Sequence, residues 1–420
     1  MQADHTFQSA NQVHDSSSYW QETVSHPVLS DDLPPVVEVA VIGGGILGAS
    51  IGYWLARMGV ISVVLERTRM AHEATGRNGG IVSIGPAEMY PAAITRLGYE
   101  TAHAILTLTR ENQALLLQVL EEERITCDYR ETGSLSLALD AQQLTALTQE
   151  AMALQTDGIV ATPLDRAQVQ ERIGTPLGPD IVGGRFKPAT GVIHPIRLVQ
   201  GLVKAAQRSG AKVCTATALR LMPRNGRVVV QTTRGALQAE TVIIATNAWI
   251  GELLPQFAHL ITPVRGQVLA YAPTGPIFST AMSAAITPTG EYWQQRSDGT
   301  IVLGGCRAVA PGGDIGIRLN QPTVEVQMAL EQVLPRLFPA LGGLEVVHRW
   351  AGMMAFTPDY LPIVDRVPDM PGALVVGGFC GHGMPFALRF GQLLADALTR
   401  STWPSALLPF RLKRETLVKR

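Results

Sequence analysis

The hydrophobic pattern changes its period sharply near the start of the chain. Val36–Ile42 contains five valine or isoleucine residues in seven, which is typical of a buried parallel strand. Ile46–Met58 has the apolar spacing of a helix, and Ile61–Leu65 is a second apolar run that ends at Glu66. The pattern therefore predicts a strand–helix–strand unit over residues 36–66.

Later in the chain, helical spacing and strand-like runs alternate. Helices are predicted at Ala92–Arg124, Gln142–Gln155, Arg166–Arg172, Pro195–Arg208, Gln321–Phe338, from Thr246 onward and at about 385–398. Strands are predicted at Asp128–Leu139, Ile181–Phe186, Ala211–Thr217, Leu219–Met222, Arg227–Thr232, Gly235–Gln238, Thr241–Ala245, Val264–Ala270, Ala281–Ile286, Glu291–Gln295, Thr300–Gly304, Leu344–Phe356 and Leu374–Val376. Because the strands from Val264 to Gly304 follow one another without a helix, they predict a second, antiparallel sheet.

The junction between the first strand and helix carries the pattern G-x-G-x-x-G. Its first glycine suits a tight turn, its second lets a pyrophosphate approach the backbone, and its third lets the helix pack on the strand. The helix N-terminus offers free N–H groups and positive dipole charge to phosphates. Glu66 lies 18 residues beyond Gly48, where a carboxylate accepts a hydrogen bond from a ribose hydroxyl. The predicted nucleotide contacts are Gly43, Gly45, Ile46, Leu47, Gly48, Glu66 and Arg67.

These elements predict an α/β fold whose nucleotide-binding part is assembled from discontinuous segments. The predicted nucleotide-binding domain comprises residues 36–90, 181–262 and 340–420, and a substrate domain with a mixed or antiparallel sheet comprises 91–180 and 263–339. Residues 1–35 are polar, and we expect them to form a mobile or draped N-terminal extension.

Composition narrows the choice of partners. The 420 residues carry a net charge of −1 with no block of like charge. The sequence therefore shows no basic region that would attract nucleic acid or an acidic membrane surface. The four cysteines are scattered, which fits neither a disulfide framework nor a metal site and is compatible with a reducing compartment. No apolar run is long enough to span a membrane, and the N-terminus lacks the features of a secretory signal. We therefore expect a cytoplasmic protein without a bound metal.

Several further segments resemble one family in order and spacing. They are VAVIGGGILG at 39–48, ATGRNGG at 74–80, GVIHPIRL at 191–198, ATNAW at 245–249, PVRGQ at 263–267, DGTIVLGG at 298–305, TPDYLPIV at 357–364 and GGFCGHG at 377–383. From about residue 36 onward the chain resembles the D-amino-acid oxidase family of flavoproteins, in the branch with glycine oxidase, sarcosine oxidase and γ-glutamylputrescine oxidase. The resemblance implies FAD, a Rossmann-type FAD-binding domain and oxidation of a C–N bond.

The resemblance also implies where the rest of the cofactor lies. The further FAD contacts expected from it are Thr75, Arg77, Asn78, Gly79, Gly80, Val213, Ala245, Thr246, Asn247, Trp249, Gly378, Gly381, His382, Gly383 and Met384. A helix follows the last glycine-rich turn, and its N-terminus would stabilise negative charge on the flavin's pyrimidine side. His382 either contacts the flavin or only caps this turn. Non-covalent attachment is expected, because Gly352 stands where cysteinyl-flavin members carry cysteine.

The chain departs from the family pattern where amino-acid-oxidising members hold the substrate carboxylate. Met354 stands at the position of their arginine, and Pro385 at that of the lysine in sarcosine-oxidase-like members. A buried carboxylate without a partner is costly. We therefore expect an amine or N-substituted amino acid whose polar end lies away from the flavin, or a different cation as anchor. The candidate cations are Arg77, Arg265, Arg296, Arg307 and Arg349.

The expected substrate pocket is largely aromatic and apolar. Tyr292 and Trp293 are adjacent on a strand and point to opposite faces, so one is expected in the pocket and the other in the core. Met353, Met354 and Phe356 are further candidates, with plain core packing as the alternative. No catalytic side chain is predicted, because hydride transfer from a neutral amine needs no dedicated base.

Three alternatives to this reading stay open on sequence grounds. The first is a D- or L-amino-acid oxidase or dehydrogenase with an unusual carboxylate anchor. The second is a nicotinamide-dependent dehydrogenase, which would share the first strand–helix–strand unit but has no need of the GGFCGHG turn. The third is a flavin-binding protein without oxidase activity or a tRNA-modifying flavoprotein. Oxygen and a quinone or other electron carrier are both possible final acceptors.

Overall fold

A computed structural model describes residues 16–418. The strands are β1 (Val36–Ile42), β2 (Ser62–Glu66), β3 (Ile81–Val82), β4 (Arg130–Glu131), β5 (Ser134–Ala138), β6 (Thr162–Asp165), β7 (Gly183–Lys187), β8 (Gly191–Val192), β9 (Lys212–Thr215), β10 (Ala218–Arg224), β11 (Arg227–Thr232), β12 (Gly235–Ile244), β13 (Thr262–Tyr271), β14 (Ala281–Ala284), β15 (Glu291–Gln295), β16 (Ile301–Gly305), β17 (Val346–Phe356), β18 (Ile363–Arg366) and β19 (Ala373–Gly377). The helices are α1 (Tyr19–Glu22), α2 (Ile46–Arg57), α3 (Tyr90–Leu97), α4 (Tyr99–Glu122), α5 (Ala141–Thr156), α6 (Arg166–Gln170), α7 (Pro195–Arg208), α8 (Ile250–Leu253), α9 (Val324–Glu331), α10 (Val333–Leu337), α11 (Ala387–Arg400) and α12 (Glu415–Val418).

The first sheet is built on parallel strands. Its order is β10–β11–β12–β1–β2–β9, with β19 also pairing parallel to β12 and β18 pairing antiparallel to β19. Val39 and Val41 of β1 face an apolar core shared with α2, α7 and α11, whereas Ala40 and Ile42 face a second core on the other side. Burial on both faces explains why β1 and β2 read as continuous apolar runs.

The second sheet is mixed. Its order is β17–β13–β16–β15–β14–β5–β7–β6, in which β14 and β5 pair in parallel and the other neighbours pair antiparallel. A separate three-stranded sheet joins β3, β8 and β4. The sequence grouped the segments of β7 and β17 with the nucleotide-binding part. Their pairing puts both in the second sheet. Strand β17 pairs with β13 along its length, with Thr262 opposite Phe356 at one end and Tyr271 opposite Val346 at the other. Strand β7 pairs with β5 and β6.

Several predicted elements are divided or joined differently in the structure. The predicted helix at 92–124 is two helices, because Gly98 adopts a φ of +80° between α3 and α4. The helix predicted at 321–338 divides into α9 and α10, and the two strands predicted between Gly235 and Ala245 are the single strand β12. The helix predicted from Thr246 begins as a 3-10 turn at Asn247–Trp249. Within residues 16–418, no helix combines the length and apolarity needed to cross a membrane.

The part of the N-terminal extension that the structure describes, residues 16–35, lies against the protein. Ser18 and Gln21 form a reciprocal capping box that starts the short helix α1. Trp20 is fully buried, and its Nε1 donates to the carbonyl oxygen of Asn78 at 2.7 Å. Residues 16–35 are therefore draped, while the rest of the predicted extension lies outside the described residues.

Candidate active site

The glycine loop between β1 and α2 has no room for side chains at two positions. Gly43 has a φ of +114°, and a Cβ there would lie 2.7 Å from the carbonyl oxygen of Ala245. A Cβ on Gly48 would lie 1.8 Å from the Gly43 oxygen. The start of α2 therefore packs directly on β1, and the N–H groups of its first turn face the loop, where a pyrophosphate is stabilised.

Glu66 ends β2 beside this loop. Its Oε2 accepts a hydrogen bond from the Gly44 N–H at 2.8 Å, and its Oε1 accepts from the Thr68 N–H at 2.9 Å. Oε1 also accepts from the Thr68 hydroxyl at 3.2 Å, so Oε2 is the oxygen that keeps a further lone pair, which a ribose hydroxyl can occupy. Nearby, the Arg67 guanidinium lies 4.6 Å from the centre of the Trp249 ring.

One cavity of about 1130 Å³ runs from the glycine loop to the second sheet. Four buried polar atoms of its lining residues have no hydrogen-bond partner among the described residues: Arg185 Nε, Thr246 Oγ1, Trp249 Nε1 and His382 Nδ1. Such atoms are costly unless a ligand satisfies them. A long ligand with polar groups along its length therefore fits this cavity, as FAD does.

The loop after β2 packs against the second sheet and forms part of the cavity wall. The buried Arg77 donates from Nε to the His72 carbonyl oxygen at 3.0 Å and from Nη1 to the Ala351 carbonyl oxygen at 2.9 Å. Its guanidinium therefore ties the loop to β17 by backbone contacts. A Cβ on Gly79 would lie 2.5 Å from Tyr292 Cε2, so only glycine allows this close approach of loop and sheet.

Most predicted cofactor residues line the cavity. These are Gly43, Gly45, Ile46, Leu47, Glu66, Arg67, Thr75, Arg77, Asn78, Gly79, Ala245, Thr246, Asn247, Trp249, Gly381, His382, Gly383 and Met384. Gly48, Gly80, Val213 and Gly378 do not. Val213, expected to contact FAD, pairs with Val64 of β2 and packs in an apolar core. Gly378 contacts a lining residue instead, because its N–H donates to Asn247 Oδ1 at 3.0 Å.

The two adjacent aromatic residues on β15 lie on opposite faces of the strand, as alternation requires. Tyr292 lines the cavity, and burial raises the pKa of its hydroxyl to about 12. Trp293 is fully buried between Phe278 and Phe338, with edge-to-face ring centroids 5.8 and 6.1 Å away. Trp293, included in the predicted substrate pocket, is therefore a core residue of the second sheet.

Strand β17 places Met354, the apolar residue at the expected arginine position, on the wall of the cavity. Met354 lies between Gly266 and Gly381, where added Cβ atoms would meet its Cε at 3.1 Å and its Sδ at 3.3 Å. Phe356 also lines the cavity, packing edge-to-face on Tyr360 at 5.7 Å. Met353 borders the cavity too, although it packs in the core shared with the first sheet.

Of the five candidate cations, four are engaged elsewhere. Arg77 donates to backbone carbonyls; Arg265 pairs with Asp314, Arg296 with Asp128 and Arg349 with Glu331. Arg307 lines the cavity with its guanidinium 5.2 Å from the centre of the Phe356 ring. Within the part of the chain that the structure describes, it pairs with no carboxylate. Burial lowers the pKa of Arg307.

The sequence analysis missed a polar region at the far side of the cavity. Its residues are Ser134, Ser136, Glu150, Arg185 and Lys187. Arg185 and Lys187 flank Phe186 on β7, so the strand alternation puts both cations on one face. The available signal was Arg185 near the end of the predicted strand Ile181–Phe186, with a second cation, Lys187, directly after that strand.

A two-sheet α/β protein with a glycine loop, an acid at the end of β2 and one long cavity is a nucleotide-cofactor enzyme by its fold and site. The chain belongs to the DAO family, described as FAD dependent oxidoreductase, whose model matches residues 38–397. The predicted family, α/β fold class and FAD cofactor are therefore confirmed.

Relatives cover most of the chain. It is 29% identical to glycine oxidase of Pseudomonas aeruginosa, over 86% of this chain and 94% of the relative. It is 26% identical to γ-glutamylputrescine oxidoreductase of Escherichia coli, over 91% and 89%. The crystal structure of glycine oxidase from Geobacillus kaustophilus superposes with a TM-score of 0.79 at 23% identity, covering 91% of this chain and all (100%) of that one. The structural match supports the fold.

Proposed function

We propose that this FAD-dependent oxidoreductase acts on an amine or N-substituted amino acid whose polar end lies away from the reacting carbon. The residues that line the cavity would hold FAD, which would supply an acceptor for a hydride from the carbon next to the substrate nitrogen. The imine product then hydrolyses. The observation that carries the proposal is Met354, which lies at the Gly381 turn where related enzymes have a carboxylate-binding arginine.

The cavity wall favours a neutral amine. Met354, Phe356 and Tyr292 line it there, and a protonated amine against this wall would lack a counter-charge. The raised pKa of Tyr292 keeps its hydroxyl protonated at neutral pH. Tyr292 can therefore orient a substrate through a neutral hydrogen bond, while the apolar side chains exclude water from the reacting carbon. We assign no side-chain base.

Non-covalent attachment of FAD is part of the proposal. A Cβ on Gly352 would lie 2.7 Å from Arg77 Cβ, so a cysteine cannot occupy that position without displacing the buried Arg77. This supports a cofactor held by hydrogen bonds and packing alone.

A second candidate function is oxidation of a free amino acid with an unusual carboxylate anchor. Arg307 favours it, because its guanidinium lines the cavity above Phe356 and forms no ion pair with a described carboxylate. In this reading the substrate carboxylate would lie at the Phe356 end of the cavity. Both readings leave oxygen and a quinone or electron carrier as possible final acceptors.

Anaerobic bleaching of the yellow flavin absorbance tests the proposal. The panel contains glycine, sarcosine, D-alanine, linear alkyl amines and amines bearing a remote carboxylate. We expect the amines to reduce the flavin fastest. Fast reduction by glycine, sarcosine and D-alanine without reduction by amines would contradict the proposal and favour the Arg307 reading. Admission of oxygen afterwards separates an oxidase from a dehydrogenase.

A further inference from the structure

Lys187 is a buried ammonium without a carboxylate partner. The residue is 7% exposed, and its Nζ donates to the Ile84 carbonyl oxygen at 2.9 Å. Among the residues that the structure describes, it forms no ion pair. A buried ammonium that uses one of its three donors and has no counter-charge is costly, which favours an anionic ligand at this position.

The side chains around Lys187 leave its charge uncompensated. The neighbouring Arg185 is neutralised by a buried ion pair with Glu150. Lys187 faces Ser134 across the β5–β7 pair, and Thr190 Oγ1 lies 3.1 Å from Ser134 Oγ. The region therefore combines one net positive charge with two hydroxyl groups, which matches a singly charged carboxylate.

Lys187 also lies within electrostatic reach of the predicted flavin turn. Burial, and the positive charge of Lys187 after it, lower the pKa of His382. Both residues line the same cavity, which continues past Met354. A substrate can therefore place its reacting carbon at the Met354 wall and its far end at Lys187.

We propose that Lys187 binds the carboxylate at the remote end of the substrate. This rests on the proposed function and deepens it: the substrate class becomes amines, or N-substituted amino acids, with a carboxylate separated from the reacting carbon by a spacer. The uncharged, reacting end of the substrate then contacts the apolar wall at Met354, and its anionic end contacts the Lys187 ammonium.

Non-oxidisable carboxylates test this in the holoenzyme. The probes are acetate, butyrate and hexanoate, and perturbation of the visible flavin spectrum gives their dissociation constants. Lys187→Met removes the charge, and Lys187→Gln also keeps a donor for the Ile84 carbonyl oxygen. We expect hexanoate to bind at least about tenfold more weakly to both variants. Lys204→Met, at an exposed lysine of α7, is the matched control and should bind as the native protein does. Unchanged hexanoate binding in folded Lys187→Met would overturn the proposal.

A measurement on the native protein covers the case in which both variants fail to fold. Burial, followed by the charge of Arg185, lowers the pKa of Lys187 to about 8, with Glu150 acting in the opposite direction. His382, whose pKa the charge of Lys187 lowers, is a further titratable group on the cavity wall. Hexanoate affinity should fall as the pH rises through this value and the ammonium deprotonates. Constant affinity from neutral pH to well above it would overturn the proposal.

The two proposals fail in different ways. If no amine or amino acid in the panel bleaches the flavin, but hexanoate binding depends on Lys187, the reaction is wrong and the anion site stands. If amines bleach the flavin and hexanoate binding ignores Lys187, the reaction stands and the anchor is wrong.

Discussion

The indole N–H of Trp20 donates to the carbonyl oxygen of Asn78 at 2.7 Å. This bond joins the N-terminal extension to the loop that lines the cofactor cavity. The Trp20 ring also meets the Arg296 guanidinium at 5.1 Å and the His194 ring edge-to-face at 5.1 Å. A Cβ on Gly80 would lie 2.9 Å from Trp20 Cζ2. The extension is therefore part of the wall that positions the cofactor loop.

Replacing Trp20 should weaken both the fold and the cofactor site. Trp20→Ala removes a fully buried ring and is expected to lower the free energy of unfolding by about 3–5 kcal/mol. Trp20→Phe keeps most of the packing and loses the bond to Asn78, so about 1 kcal/mol is expected. Urea denaturation and FAD titration measure the two effects. Val28→Ala, at a 98% exposed residue of the same extension, is the control, and equal stability of Trp20→Ala and the control would contradict this role.

Acid should destabilise the protein through His194. Burial lowers the pKa of this histidine to about 3, so it stays neutral in the folded state, while in the unfolded chain it binds a proton near the ordinary histidine pKa of about 6.5. The unfolded state therefore holds more protons below that value, and stability falls with falling pH. We expect a loss on the order of 2 kcal/mol between neutral pH and about pH 4.5.

Urea denaturation at several pH values checks the His194 effect. His194→Asn keeps a capping side chain at the start of α7 and removes the titrating group, so its pH dependence should be shallower. An identical slope in native protein and variant would show that other groups cause the acid sensitivity.

A cation at position 354 should change substrate preference. Met354→Arg places a guanidinium between Gly266 and Gly381, where Met354 lies now. We expect the ratio of kcat/KM for glycine to that for alkyl amines to rise at least about tenfold, since a buried carboxylate gains a charge-assisted partner. Anaerobic flavin reduction gives both rates. Met328→Arg, at an exposed methionine of α9, should leave the ratio unchanged, and an unchanged ratio in Met354→Arg would argue against the assigned carboxylate position.

The contact between Gly79 and Tyr292 should not tolerate a methyl group. The added Cβ in Gly79→Ala would lie 2.5 Å from Tyr292 Cε2, so the loop or the ring must shift at a cost of about 1–3 kcal/mol. We expect a higher dissociation constant for FAD, measured by titrating the apoprotein with FAD. In Tyr292→Leu the same Gly79→Ala change should be milder. Gly343→Ala, where the new Cβ has nothing within 4 Å, is the control. Native FAD affinity in Gly79→Ala would show that this contact is unimportant.

Local sequence patterns were enough to predict the first strand–helix–strand unit and its glycine loop. The helix predicted at Ile46–Met58 is Ile46–Arg57, and the steric demands at Gly43 and Gly48 are as the motif requires. These features depend on backbone conformation and on contacts between residues close in the chain, which local periodicity and glycine spacing report. Of the five cations proposed as anchors, however, sequence could not distinguish Arg307 from the others.

Tertiary structure alone decided the partners of distant segments. Strand β17 joins β13, and β7 joins β5, by backbone pairing between chain positions that no local pattern connects. The packing of β15 against the loop at Gly79 decided that Tyr292 faces the cavity and Trp293 the core, since alternation tells only that the two differ. It also buried Lys187 beside an already neutralised Arg185. Whether a buried charge has a partner depends on residues that only the fold brings together. The candidate cofactor loop could therefore be predicted from nearby residues, whereas the substrate end of the cavity could not.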